Sequence, residues 1–169
     1  MTGTSASLSG RALVCSLKAD VCQAIPDDGQ YHVVRFPFGS AESYDRWEMH
    51  QVQQPDGYVV SDWATDDRSG LIWPVRDGWG HLYAMIHWDA GCYSELRDQY
   101  VRDPLGLTRD PANTTATDHR APTPGANCFT KSHGIFVHPG VPLAVRVAQN
   151  SGGDVNLTLA EFKLLIFDV

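Results

Sequence analysis

The chain has 169 residues, 43% of them hydrophobic and 20% charged, which suits one soluble domain with a real core. Its formal net charge of −7 repels phosphate backbones, so nucleic acid and anionic membranes are excluded as natural partners. No apolar run approaches the roughly 20 residues of a spanning helix.

Residues 1–10 read as a short polar arm without the basic and apolar regions of a secretory signal, so synthesis in a cytoplasm is expected. The fold or a neighbouring chain is expected to hold this arm. Residues 11–169 read as one domain. Its four cysteines, Cys15, Cys22, Cys92 and Cys128, form no C-x-x-C pair, which argues against a zinc ribbon. They are expected to be small buried hydrophobes, with a Cys92–Cys128 bridge open to the chain under oxidising conditions.

The dominant period is two. Arg11 to Ile25 is β-rich, with Leu13, Cys15, Leu17 and Ala19 on one parity, and Asp27-Asp28-Gly29 turns the chain. Strands are predicted over Tyr31 to Phe38, Gly57 to Asp62 and Ser69 to Val75. Gly80 to Asp89 alternates cleanly: Leu82, Ala84, Ile86 and Trp88 share one face, and Tyr83, Met85, His87 and Asp89 the other. Over Cys92 to Arg102, Leu96, Tyr100 and Val101 fit a helical stripe, but the flanking turns favour a strand. The Pro-, Thr- and Asn-rich stretch 103–127 reads as a long loop of the kind that carries function. Gly134 to Val137, Val141 to Gln149 and Leu157 to Asp168 read as strands, with Asn150 to Asp154 as the hairpin between the last two.

About eight to ten short antiparallel strands without a convincing helix predict an all-β jelly-roll sandwich. The last strand carries apolar residues on both parities: Phe162, Leu164 and Ile166 against Leu165 and Phe167. A two-layer sandwich buries only one face of a strand, so the second face needs a cover, and a second subunit is the simplest one.

The run Ser69-Gly-Leu-Ile-Trp-Pro-Val-Arg-Asp-Gly-Trp-Gly-His-Leu-Tyr-Ala-Met-Ile-His-Trp88 resembles the central signature of the globular heads of complement C-one-q and the tumour necrosis factor superfamily. Val141 to Val147, following His138-Pro-Gly140, resembles the superfamily's later "G-D-x-V-x-L-x-V" strand. Leu159 to Phe167 resembles its closing strand, and Tyr31 to Phe36 an early one. The chain departs from the pattern in three places: an extra residue lies between Val75 and Gly78, Gly80 replaces a Tyr, and Lys163 replaces a Gly. No collagen stalk is present. The resemblance implies a TNF-like jelly roll of ten strands, a tight homotrimer whose inner sheet faces the threefold axis, and a binding role. On that reading Tyr83, Met85, His87, Leu165 and Phe167 form the trimer interface.

Jelly rolls also house metal enzymes. His87-x-Asp89 with His138 imitates a two-His-one-carboxylate iron site, with Arg146 placed to hold an acidic cosubstrate. Against it, His87 shares its face with Tyr83 and Met85, the expected interface. A cupin histidine run, a nucleophile elbow and a phosphate loop are absent. The acidic pairs Asp27-Asp28 and Asp66-Asp67 read as solvated turns, since a hard cation needs several converging oxygens. No metal and no cofactor are expected.

Five tryptophans are many for this length. Trp88 reads as core; Trp47, Trp63 and Trp79 lie in or near predicted loops, where exposed rings anchor partners or cap the sandwich. With Arg109, His119 and Arg120 of the long loop, they are the candidate ligand-binding residues. The composition resembles that of small virion proteins of phages infecting actinobacteria. The leading expectation is a non-enzymatic protein of a phage-like virion, made in the host cytoplasm, that decorates a capsid or sits at a tail as a homotrimer. Its residues 1–10 would meet other virion proteins. A carbohydrate- or receptor-binding head, with a host-surface glycan as ligand, is the second reading, and a jelly-roll iron oxygenase the third.

Overall fold

The computed structural model describes residues 11–109 and 113–169. Nine strands follow in chain order: β1 (Leu13–Ala19), β2 (Gln23–Ile25), β3 (His32–Val33), β4 (Gly78–Trp88), β5 (Leu96–Arg102), β6 (Asn113–Arg120), β7 (Asn127–Val137), β8 (Leu143–Gln149) and β9 (Val155–Phe167). They form two antiparallel sheets. One has the order β1-β9-β4-β7, with the short β2 also paired to β9; the other has the order β3-β8-β5-β6. The expected all-β jelly-roll sandwich is what the chain forms. Among the described residues, no helix is long and apolar enough to cross a membrane.

The alternation of β4 and β9 decides the layering. Leu82, Ala84, Ile86 and Trp88 of β4 and Phe162, Leu164 and Ile166 of β9 face the second sheet and are buried. There they meet Leu96 and Tyr100 of β5 and Val145 and Val147 of β8 in one core. Gly80 belongs to this inward row. A Cβ there would stand 2.6 Å from Val137 Cγ1 and 3.2 Å from Leu164 Cδ1, so a tyrosine has no room at this position.

The sheets are also fastened by polar groups. Tyr100 on β5 donates its hydroxyl to the Lys131 carbonyl on β7 at 2.8 Å. Burial, with the charges of Asp98 and Asp118, pushes that phenol above its ordinary range. Lys131 Nζ lies 3.1 Å from Asp98 on β5 and also pairs with Asp118 on β6.

A second apolar cluster lies outside the four-stranded sheet. Val33, Leu71, Trp73 and Ala144 are buried there, with Leu105 and Leu107 packed against them. The turn carrying those leucines is closed by Asp103, whose carboxylate accepts from the Leu107 N–H at 2.7 Å and from the Thr108 N–H at 2.9 Å.

Several predicted elements change character. Gly57 to Asp62 is no strand of either sheet; it makes one arm of a small hairpin, with a single bridge between Gln53 and Val59. Ser69 to Val75 is entered by a 3-10 turn over Asp67–Gly70, capped by the Asp66 side chain on the Arg68 N–H. Only Ile72 bridges a sheet, opposite Leu143. The cause is close approach: a Cβ on Gly70 would stand 2.3 Å from the Val34 carbonyl oxygen, so this backbone packs onto its neighbour instead of pairing with it. Tyr31 to Phe38 keeps only the two residues of β3 as strand. Farther along, the Arg35 N–H and carbonyl bond the Gln23 side chain at 2.9 and 2.8 Å.

The predicted loop 103–127 is corrected in the same way. Its middle is β6, the edge strand of the four-stranded sheet, registered with Leu96 opposite Arg120. The cysteine expectation holds for Cys15, which is buried, and fails for Cys22, Cys92 and Cys128, which are exposed free thiols. Burial, with Asp45 and Glu42 nearby, pushes the Cys15 thiol far up. The expected arm 1–10 lies outside the described residues.

Candidate interaction face

The outward face of the five-stranded sheet carries the residues of the opposite parity. Strand register arranges them in rows. Trp79 lies between Phe136 of β7 and Phe167 of β9, and His81 between Gly134 and Leu165. Tyr83 lies between Ser132 and Lys163, Met85 between Thr130 and Glu161, and His87 between Cys128 and Leu159.

At one end of this face the rings touch. Trp79 meets Phe136 edge-on at 5.1 Å, and His81 meets Phe167 edge-on at 5.5 Å. His81 Nδ1 lies 3.3 Å from the Tyr83 hydroxyl. Gly134 makes room for this packing, since a Cβ there would stand 2.6 Å from the Trp79 ring. Yet Phe136 remains 51% exposed, Tyr83 40% and Phe167 37%. Large side chains left to water in one contiguous patch mark a surface built for contact. The middle rows are polar: Lys163 and Glu161 pair at 2.6 Å beside Tyr83 and Met85.

Each residue assigned to the interface from sequence therefore sits on this face: Tyr83 and Phe167 exposed, Met85, His87 and Leu165 half-buried. Trp79, expected in or near a loop, lies on β4 and belongs to this face. The signal that would have found it was in the sequence: Trp79, His81, Tyr83, Met85 and His87 share one parity. Phe136, on the edge strand β7 beside Trp79, was missed because the predicted strand there was only four residues long.

The iron site cannot assemble. His87 lies one residue from the end of β4, whereas His138 follows β7 at the other end of the same ladder, where Gly78 faces Val137. Nine strand steps separate those ends, about 30 Å at ~3.3 Å per residue. His138 instead pairs with Asp77 at 2.6 Å, and Asp89 accepts from Asn156 at 3.3 Å. Among the described residues, no group of three His, Cys, Asp or Glu is placed to hold a metal ion.

The ligand candidates scatter. Trp47 packs against the core, with Arg46 over its ring. Trp63 lines a surface groove with Pro37, Phe38, Val52 and Val60. Arg109 is exposed at the edge of the described residues. His119 and Arg120 are not loop residues: on β6 they point to opposite sides of the sheet. Arg120 turns inward onto Asp98, so it fastens the sandwich and is not offered to a ligand. His119 turns outward and pairs with Glu95 at 2.5 Å.

Comparison with solved structures gives the fold its name. The globular domain of zebrafish complement 1qA superposes with a TM-score of 0.60 at 9% identity, covering 92% of this chain and 97% of that one. Murine APRIL superposes with a TM-score of 0.55 at 11% identity, covering 90% and 98%. The chain has the TNF-like jelly-roll fold. Neither family models nor curated proteins match its sequence. In this TNF-like sandwich the aromatic patch lies on the sheet formed by the first and last strands, and the four-stranded sheet turns away from it.

Proposed function

We propose that the protein is a non-catalytic binding module that assembles as a homotrimer through the aromatic face of its five-stranded sheet. The single observation carrying this is the patch of exposed Tyr83, Phe136 and Phe167 around the half-buried Trp79. It stands on the sheet that the sequence resemblance turns toward a threefold axis, and the TNF-like fold supports that placement. Burying such rings supplies most of the association energy, at about 25 cal/mol per Å² of apolar surface.

Light scattering on the purified chain tests this. The expected mass is three times the 18.6 kDa of one chain. Tyr83→Asp places a charge in the buried centre and is expected to give a folded monomer, seen as an unchanged far-ultraviolet dichroism spectrum at one third of the mass. A monomeric wild type, or a trimeric variant, overturns the assignment.

As part of the same proposal, the trimer is a surface protein of a phage-like virion, on a capsid or at a tail. The acidic, high-Ala/Arg/Asp/Gly sequence supports this placement. Antibody labelling of purified particles tests it, and unlabelled particles would sink it. The second reading, a carbohydrate- or receptor-binding head, keeps the Trp63 groove as its one favourable feature, flanked by exposed Tyr58 and Val59.

A further inference from the structure

The four-stranded sheet presents a second, unrelated surface. Its outward face is apolar at one end, where Ala144, Val33, Leu71 and Trp73 pack together. At the other end it carries arginines. Gln99 of β5 stands opposite Arg146 of β8 and Thr117 of β6; Arg97 stands opposite Ala148 and His119. Arg97 and Arg146 are thus diagonal neighbours on one face, within reach of each other's long side chains. Both guanidinium groups lie over the same ring, Tyr31, at 5.5 and 5.7 Å from its centroid.

Their charges are poorly compensated. Among the described residues, no carboxylate lies within ion-pair distance of Arg146, which donates instead to the Gln99 Oε1 at 2.9 Å. Arg97 Nε is 3.5 Å from Glu95, a carboxylate that His119 also engages at 2.5 Å. The Nε atoms of both arginines are buried without a hydrogen-bond partner. Burial lowers the pKa of Arg146, as expected for a cation held away from water without a counter-ion. In a chain of net charge −7, two adjacent, partly buried guanidinium groups, one without a carboxylate and the other dividing Glu95 with His119, are an expensive arrangement. An anion would offset that cost.

We propose that Tyr31, Arg97, Gln99 and Arg146 form a binding site for a carboxylate group carried by a small ligand such as an acidic sugar. The planar guanidinium forks match a carboxylate in a bidentate manner, and Tyr31 holds them in place. The acidic field of the whole chain repels a polyanion several times more strongly than a singly charged group, which favours the latter. The side chains of Ala148 and Ala144 are small, which leaves the arginine heads uncovered by their strand neighbours. The site lies on the sheet opposite the aromatic face, so assembly and ligand binding fail separately.

The test is a titration of the whole protein with glucuronate, followed through the arginine Nε–H resonances, with chloride at equal ionic strength as control. The expected result is a saturable shift at Arg97 and Arg146 with glucuronate, none with chloride, and an affinity at least about tenfold weaker in Arg146→Gln. A response equal to that of chloride overturns the site, as does an undiminished response in Arg146→Gln. Arg146→Met removes the charge and keeps most of the stem. Relief of the uncompensated cation is expected to raise its Tm by about 2–4 °C; a lowered Tm would show that the arginine is structural and overturn the argument.

Discussion

Phe162→Ala is expected to remove about 3–5 kcal/mol of folding stability, a large share of the roughly 5–15 kcal/mol that holds a domain folded. Phe162 is fully buried on β9. Its ring stacks on Tyr100 at a centroid distance of 6.0 Å and tilts against Phe36 at 6.4 Å. Tyr100 belongs to the opposite sheet, so this ring spans the gap between the layers, and alanine would leave a cavity that neither sheet can close alone. Urea unfolding at a fixed protein concentration measures the loss, because self-association would make stability concentration-dependent. Phe162→Leu, which refills most of the volume, is expected to cost less than half as much. Equal losses in the two variants would place the effect elsewhere than in the cavity.

Asp98→Ala is expected to be as damaging for an opposite reason. Asp98 is 3% exposed and receives Arg120 Nε and Lys131 Nζ together. Removing it strands two cations in the interior, with the half-exposed Asp118 as their remaining counter-charge, at a cost of about 3–5 kcal/mol. If desolvation is the cause, replacing Asp98, Arg120 and Lys131 together by Leu, Met and Met restores much of the stability. The same cluster sets an acid limit. The hydrogen bond from Lys131 holds the Asp118 carboxyl below its ordinary value of 3.8. A depressed carboxyl stabilises the fold above the unfolded-state pKa, and that contribution is lost as pH falls through the folded-state value. Stability is therefore expected to be flat above about pH 5 and to decline below the usual aspartate range, and the decline should shrink in Lys131→Met.

The ion cluster also explains where sequence reading stopped. β4 and β9 were legible because each carries an unbroken inward row of apolar residues, Leu82 to Trp88 and Phe162 to Ile166, at every second position. β6 was not: its inward partners are Asp118 and Arg120, satisfied by charge rather than burial, and its outward ones are Thr117 and His119. Nothing in Asn113 to Arg120 separates such an edge strand from a polar loop. The opposite error was made over 57–62 and 69–75. There the residues make single bridges, Val59 to Gln53 and Ile72 to Leu143, without becoming strands of a sheet, and Gly70 against Val34 is a contact no spacing rule reveals. The aromatic face was half legible. Tyr83, Met85 and Phe167 were placed on it by parity, while Trp79 was lost to a turn that the strand absorbs. The arginine shelf was legible only as a single residue, Arg146, because its meaning depends on Arg97 and Tyr31 arriving from other strands.

The pairing of β1 with β9 bears on how the protein answers to force. Leu13 faces Ile166 at one end of that ladder and Ala19 faces Ala160 at the other. Tension applied between residues 11 and 169 therefore pulls both strands from the same end and opens their hydrogen bonds one after another, like a zipper, rather than loading them all in shear. Arg76 is the clasp of that zipper, reaching the Arg11 carbonyl at 3.2 Å and the Asp168 carboxylate at 2.9 Å. Once it lets go, each following bond resists with only about 1 kcal/mol. A particle that tethered this domain by one end only would leave it mechanically sheltered; one that strung it between two anchors would have chosen its softest axis.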